Sequence, residues 1–445
     1  MHNLALRSHE PELAPGSRAA EIAPRLRTAA ETGLSRSFLC ELIEKHLFDG
    51  GVLTIAALVR RTALTGAIIE ELLTFLRQEG RIEVRAKVPD EQGLRYGLTD
   101  RGRASAMDAL GRGGYVGPAP VPLSRYLEVA AAQSVRGRRV TQERMRRSFA
   151  DTVLDPAMLD RLGPSMNSGK AIFVYGPAGT GKTYVTQRLA RLFDDSALVP
   201  HAISVGETVI QLFDPTLHRP IEQPPPAVLL DDGHDPRFVR CRRPVVITGG
   251  ELGPEMLEVQ YDPATRQYRA PLQLKATNGM YILDDLGRQR VAPEVVLNRW
   301  IVPMEEGRDY LSLGTGQHFS VLFDVILIFS TNLDPLKLAD EAFLRRIGYK
   351  LRFDYLTPQQ YQAIWSQVCA MRDVPYDPAV CQFVIDELHG RRRVPLLPCH
   401  PRDLIGIALD RADYLDASER LTRESLGWAW ENYFVRLDAA SFDDN

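Results

Sequence analysis

The sequence predicts an α/β chain: a core of parallel strands and helices, a helical C-terminal region behind it, and a small helical domain with a β-hairpin in front. Three observations carry this. The run "AIFVYGPAGTGKTYVTQRLARLF", from Ala171, passes from a buried strand through a glycine-rich turn into a helix. Two later hydrophobic runs, "MYILDDLGRQ" and "VILIFSTN", end abruptly in polar residues. From Pro358 to Leu437 helical patterns succeed one another, interrupted by "GRRRVPLLPCHP".

At 445 residues the chain has room for about three domains of roughly 150 residues. With 44% hydrophobic and 25% charged residues it has the composition of an ordinary globular protein, neither fibrous nor wholly disordered. A net charge of -3 and a pI near 6.3 exclude an overall electrostatic attraction to nucleic acid or anionic membrane, and leave only local patches. The five cysteines (Cys40, Cys241, Cys369, Cys381, Cys399) are odd in number and scattered, so neither a disulfide framework nor a zinc site is expected, and a reducing cytoplasm is. No apolar run approaches the roughly 18 residues of a membrane span, so no membrane insertion is expected. The opening stretch lacks a signal peptide's apolar core and carries Glu10, Glu12, Glu21 and Glu31. Residues 1–35 read as a flexible tail.

From Ser35 to about Leu110 the pattern is helix, short strand, helix, helix, hairpin. "SRSFLCELIEKHLF" is amphipathic, Thr54 is placed to cap "IAALVRR", and "TGAIIEELLTFLRQEG" puts Ile68, Leu72 and Phe75 on one stripe before Gly80. Two alternating runs then flank "PDEQG" as a hairpin wing. With its closing "YGLTDRGR", the order resembles a winged helix-turn-helix domain over residues 36–110. In that fold the third helix enters the major groove. Here it carries Glu70 and Glu71, with no arginine before Arg77, so an acidic pair would face phosphates. Arg60, Arg61, Arg81, Arg85, Lys87 and Arg95 are either backbone contacts or a solvated face. Docking to protein is the favoured expectation, and duplex DNA the alternative.

Residues 111–150 read as a linker and a basic helix. "GRGGYVGPAPVPL" is rich in Gly and Pro. "SVRGRRVTQERMRRSF" is basic, but Glu143 interrupts it and it lacks the interleaved aromatics of a single-strand binder, which leaves a solvated helix beside the next domain.

The most specific signal lies just beyond. Gly176, Pro177, Ala178, Gly179, Thr180, Gly181, Lys182 and Thr183 match G-x-x-x-x-G-K-[ST] between a strand and a helix, the context this nucleotide-binding loop requires. The glycines let backbone N–H groups close around phosphates, and the helix N-terminus adds its own. Lys182 reaches the outer phosphates, and Thr183 offers its hydroxyl to Mg2+.

A partner strand must add an acidic group to the magnesium shell and a carboxylate that positions water. Asp231 with Asp232, in "AVLLDDGHDP", and Asp284 with Asp285, in "MYILDDLGRQ", both qualify locally. The segments downstream of each pair distinguish them. After the second pair come the helical "APEVVLNRWIVPMEE", the alternating "RDYLSLGTGQHFSVLF", and a strand ending in Asn332. After the first come "RRPVVITGGEL" and an apparent hairpin, "LEVQYDPATRQYRAPLQL", with no strand closing on a polar tip.

In that order the region resembles an AAA+ ATPase module. The resemblance implies that Asp284 and Asp285 form the acidic strand, with Asp231 and Asp232 a decoy. It makes Asn332 the first sensor, Arg345 or Arg346 in "DEAFLRRIGYKL" the arginine finger, and Arg402 in "HPRDLI" the second sensor. Arg346 is favoured because it aligns with the finger of the MoxR-like "LDRF" pattern. The implied layout is an α/β core over 151–356, with inserts near 242–274 and 308–320, and a helical lid over 357–445. The inserts are similar to those of the branch holding MoxR-like ATPases, McrB-like GTPases and NtrC-type activators. "APEVVLNRWIVPMEEGRDYLSL" is most similar to the MoxR-like pattern, and the activators' GAFTGA loop has no counterpart.

Most such modules carry Glu where this chain has Asp285. Asp is one methylene shorter, which sets its carboxylate about 1 Å back, and a misplacement of that size can cost around a hundredfold in rate. Slow turnover is therefore expected, although "ILDDLG" is similar to strands of DnaA-like and IstB-like ATPases.

Three weaker patterns have ordinary readings. Asp231, Asp232, His234 and Asp235 are metal-ligating types that more often make a turn. Cys399 beside His400 lacks the third member of a nucleophilic set. Trp428 and Trp430 read as packing. The resemblance thus implies a cytoplasmic ATPase that binds ATP and Mg2+, assembles as a homo-oligomer, in expectation a hexamer, and remodels a protein client. The rivals are a DNA-binding regulator and a nucleotide-dependent assembly switch.

Overall fold

The structure, a computed structural model, describes residues 15–85, 93–221, 233–417 and 420–434. Lys87 and the wing tip, Asp231 and Asp232 lie outside them. The chain divides into two compact units. The first takes its residues from Met1–Gly137, Phe193–Tyr281 and Val295–Ile326, the second from Arg138–Leu192, Ile282–Glu294 and Leu327–Asn445.

The first unit carries helices Arg36–Gly50, Ile55–Thr62 and Gly66–Gln78, and side chains cap the first two. Ser35 accepts from Phe38 N–H and Thr54 from Ala57 N–H. Leu39, Ile43, Leu58, Ile68 and Leu72 are fully buried together, and Phe75 packs against them. Strands Leu53–Thr54, Ile82–Arg85 and Arg95–Leu98 form an antiparallel sheet with Arg95–Leu98 in the middle. Several basic side chains of this region have acidic neighbours. Arg61 meets Asp49 at 2.9 Å, Arg85 meets Glu83 at 2.5 Å, and Arg81 meets the buried Glu44 at 3.5 Å. Arg36 meets Glu71 at 3.4 Å, so that acid has a cation of its own.

Two stretches are better ordered than their composition suggests. Residues 15–35 are not a tail: they carry helix Pro15–Ile22, bury Ala19, Ala23 and Thr32, and give the Ala23 carbonyl to Asp235 N–H at 2.8 Å. Small side chains allow that close packing and leave no hydrophobic period to read. The Gly/Pro-rich stretch before Leu123 is likewise packed. Gly114 N–H donates to Arg266 O at 3.1 Å, and a Cβ there would sit 1.8 Å from Thr265 O, so glycine serves close backbone approach. Ala119 is buried, and Val121–Pro122 pairs in parallel with Ala202–Val205. That pair continues through Thr208–Gln211 to the hairpin of Gln260–Asp262 and Gln267–Arg269. A second hairpin joins Arg308–Ser312 to His318–Leu322, within the alternating run "RDYLSLGTGQHFSVLF".

In the second unit, strand Ile172–Tyr175 lies between Val325–Thr331 and Tyr349–Arg352 and is parallel to both. Gly279–Leu283 lies on the far side of Val325–Thr331. Phe173 and Phe329 are fully buried, with rings 6.1 Å apart. Helices Pro358–Met371, Pro378–Phe383, Cys399–Tyr414 and Arg423–Tyr433 then close around Tyr361, Trp365, Leu404 and Trp430. Thr357 and Gln360 form a capping box at the first of them. The chain therefore has the expected parallel-sheet α/β core and helical C-terminal region.

His400 packs in that helical core, edge-on to Tyr433 and Phe434, with His389 5.1 Å away. Burial, and secondarily His389, lowers its pKa from 6.5 to about 4. The folded state holds the neutral ring while the unfolded state protonates near 6.5. This contribution, on the order of 3 kcal/mol, is present above that pH and lost as the pH falls towards about 4. Thermal melts between pH 7 and 4 are expected to fall less steeply for His400→Phe than for the wild type; equal slopes would assign the acid sensitivity to other groups.

Candidate functional site

The glycine loop is shaped by contacts that exclude a side chain. Gly176 has φ 141°, and a Cβ there would lie 2.0 Å from Phe353 O. Gly179 and Gly181 have φ of 79° and 84°. Lys182 opens helix Lys182–Arg188, is 6% exposed, and donates from Nζ to Gly176 O (2.9 Å) and Pro177 O (2.8 Å). Burial lowers its pKa, and the nearby Asp284 and Asp285 charges act in the opposite direction.

The loop and two strand ends converge. Thr183 Oγ1 donates to Asp284 Oδ2 at 2.6 Å, and Asn332 Nδ2 donates to Asp285 Oδ1 at 3.0 Å. The turn that carries these carboxylates is fixed to the neighbouring strand. Leu286 N–H donates to Ser330 O (2.8 Å), and Thr331 Oγ1 donates to Leu286 O (2.7 Å). Asp285 itself is left-handed, with φ 49°, a conformation Asp tolerates better than longer side chains do. At Gly287, φ 101°, a Cβ would meet Leu333 and Leu338 at 2.7 Å.

These groups line a cavity of about 930 Å³. Its polar end holds Gly179–Thr183, Asp284, Asp285, Asn332 and Arg402. Its apolar wall holds Val153, Leu154, Met158, Ile364, Val368 and Met371, none of which sequence reasoning singled out. Those residues carry no motif, because their only shared property is the wall they make. A cleft with an apolar wall and a few polar groups is the usual form of a small-ligand site. Thr183 and Asp284 present the oxygen donors that magnesium prefers.

The predicted arginines separate. Arg402, on helix Cys399–Tyr414, lines the cavity, but its Nε donates to Asp403 Oδ1 at 2.9 Å, and Asp403 Oδ2 accepts from Tyr433 OH at 3.1 Å. Arg345 and Arg346 end helix Glu341–Arg346 and are not among the cavity's lining residues; Arg345 pairs with Glu341 at 2.7 Å.

Of the weaker patterns, the first is described only in part, since Asp231 and Asp232 lie outside the described residues. Asp235 is engaged by Arg237, His234 Nε2 lies 3.1 Å from Phe238 O, and among the described residues no group of three or more His, Cys, Asp or Glu is placed to hold a metal. Cys399 lines the cavity, with its Sγ 3.0 Å from where a Gly179 Cβ would be; burial raises its pKa, which opposes thiolate formation. Trp430 is buried, and Trp428, 40% exposed, lies under Arg411. All five cysteines are free.

Residues 357–432 match a domain of unknown function, DUF8689. No curated protein matches the chain. Among solved structures it is similar to the Thermotoga maritima RuvB Holliday junction branch migration motor, at 12% identity and TM-score 0.34, over 66% of this chain and 70% of that one. It is also similar to NtrX from Brucella abortus in complex with ADP, at 14% identity and TM-score 0.40, over 76% of this chain and 68% of that one.

Proposed function

We propose that the chain is an AAA+ ATPase that binds ATP with Mg2+ and hydrolyses it between copies of itself. The observation that carries this is the convergence of Thr183 with Asp284 (2.6 Å) and of Asp285 with Asn332 (3.0 Å) beside the buried Lys182. Thr183 and Asp284 would hold magnesium, whose chemistry is to neutralise phosphate charge. Lys182 would exchange two loop carbonyls for phosphate oxygens, Asp285 and Asn332 would orient the attacking water, and Arg402 would leave Asp403 for the outer phosphate.

Arg346 completes the site from a neighbouring copy in this reading, since it stands outside the cavity of its own chain. A hexameric, MoxR-like ring that remodels a protein client fits the two hairpins, Gln260–Arg269 and Arg308–Leu322, as surfaces for the work output. Residues 36–110 are read as a winged-helix domain, supported by three helices packed with a three-stranded antiparallel sheet. The acidic partners of Arg36, Arg61, Arg81 and Arg85 favour protein docking there over duplex DNA. Among the described residues no helix is long and apolar enough to cross a membrane, and a cytoplasmic site of action is proposed with the rest.

The test is steady-state ATP turnover against protein concentration. Turnover per chain is expected to rise with concentration, and Arg346→Ala to lower it by about a thousandfold or more with ATP still bound. Turnover that is independent of concentration and unchanged in Arg346→Ala would remove the shared site.

A further inference from the structure

Gln289 belongs to no motif, yet it folds back over the turn that carries both carboxylates. Its Oε1 accepts from Gly287 N–H at 2.8 Å, and its Nε2 donates to Asp284 O at 3.3 Å and to Asp285 O at 3.2 Å. Those two carbonyls belong to the peptide planes on either side of the Asp285 Cα, and the φ and ψ of a residue describe how its two flanking planes are turned. One amide nitrogen therefore tethers both planes at Asp285, φ 49°; on the second plane it acts beside Arg288 N–H, which donates to Asp285 O at 3.0 Å, and Leu286 N–H, which donates to Ser330 O. Two contacts converge on the same residue: its N–H donates to Asp284 Oδ1 at 3.0 Å, and its Oδ1 accepts from Asn332.

We infer that Gln289 is a positioning residue for hydrolysis: by fixing the backbone of Asp285 it aims that carboxylate at the attacking water. The inference rests on the proposed hydrolase activity. Left-handed backbone is unfavourable for a residue with a Cβ and persists where its surroundings impose it. Without the amide, the Asp285–Leu286 peptide keeps the bonds from Leu286 N–H to Ser330 O and from Arg288 N–H to Asp285 O, but the Asp284–Asp285 peptide loses the tether on its carbonyl and can turn towards right-handed values, which swings the carboxylate away while Thr183 and the glycine loop stay as they are. Leucine fills similar space and makes none of the three bonds. Glutamate keeps the acceptor for Gly287 N–H and places a negative oxygen against two carbonyls.

The experiment compares wild type, Gln289→Leu, Gln289→Glu, Asp285→Gly and the Asp285→Gly/Gln289→Leu pair. It measures steady-state ATP turnover and the Kd of a fluorescent ATP analogue. Both Gln289 variants are expected to lose about 10- to 100-fold in kcat, the scale of a misplaced reacting group, with Kd unchanged within about twofold. In the Asp285→Gly background, Gln289→Leu should cost no further turnover, because the group it aims is gone. Wild-type kcat in Gln289→Leu would overturn the inference and leave the hydrolase reading intact. So would losses that multiply in the double variant, or a Kd that rises in step with the fall in kcat. A wild-type chain that binds the analogue and turns over no ATP would overturn the hydrolase reading and, with it, this one.

Discussion

Arg237→Ala is expected to destabilise the first unit by about 3–5 kcal/mol, the largest stability effect among the predicted substitutions. Arg237 and Asp235 are 1% and 2% exposed. Arg237 Nε donates to both Asp235 oxygens, at 3.2 and 3.1 Å, and one Nη donates to Oδ2 at 2.9 Å. The other Nη donates to Thr32 O at 3.0 Å and Pro120 O at 3.2 Å. One guanidinium thus holds three stretches of the first unit that lie far apart in sequence. Removing it leaves a buried carboxylate and two carbonyls without that donor, and the desolvation cost of the carboxylate dominates. Arg237→Lys should be nearly as damaging, because an ammonium cannot span a bidentate carboxylate and two carbonyls at once. Asp235→Leu with Arg237→Leu should recover most of the loss, since neither charge is then left unpaired. Urea unfolding of the four proteins checks the order. A cost below about 1 kcal/mol for Arg237→Ala would mean that water reaches the site and the pair is surface-like.

That ion pair shows where sequence reasoning ends. In "LLDDGHDPRFVR" the types Asp, His and Asp suggest a turn or a metal, and nothing local says that Arg237 is buried. The same limit hid the packing of residues 15–35 and 113–122, where Ala19, Ala23, Gly114 and Ala119 work by being small against partners distant in sequence. The glycine loop was legible because its chemistry is contiguous: Gly176, Gly179, Gly181, Lys182 and Thr183 act together within one strand-to-helix turn. Asp284 and Asn332 were legible one step later, as polar ends of buried strands whose order the chain itself supplies. Asp284 lies against Thr183 and Asp285 against Asn332, while Asp231 and Asp232 fall outside the described residues. Gln289 was not legible, because its three bonds exist only once the turn has its left-handed residue. Nor was that conformation, which changes what the second Asp means.

Read from length alone, Asp285 is a shortened Glu, and Asp285→Glu should speed turnover. The backbone argues for the reverse. At φ 49° Asp is among the few side-chain-bearing residues that tolerate the conformation, while a longer chain there costs on the order of 1 kcal/mol. The carboxylate is also already seated, with Asn332 Nδ2 at 3.0 Å from Oδ1, and an added methylene pushes it past that donor. Asp285→Glu is therefore expected to fold slightly less stably and to turn over about tenfold more slowly than the wild type, from misplacement by about one bond. Asp285→Asn and Asp285→Gly keep the backbone and lose the negative charge. Both should bind ATP normally, keep their thermal midpoints, and lose about 10²–10⁴-fold in kcat, the range for removing a group that takes up or directs a proton. The expected order is wild type, then Glu, then Asn and Gly together. An Asp285→Glu variant faster than the wild type would restore the shortened-Glu reading and mean that the turn relaxes readily. Four equal rates would mean that Asp285 does not take part in the chemistry.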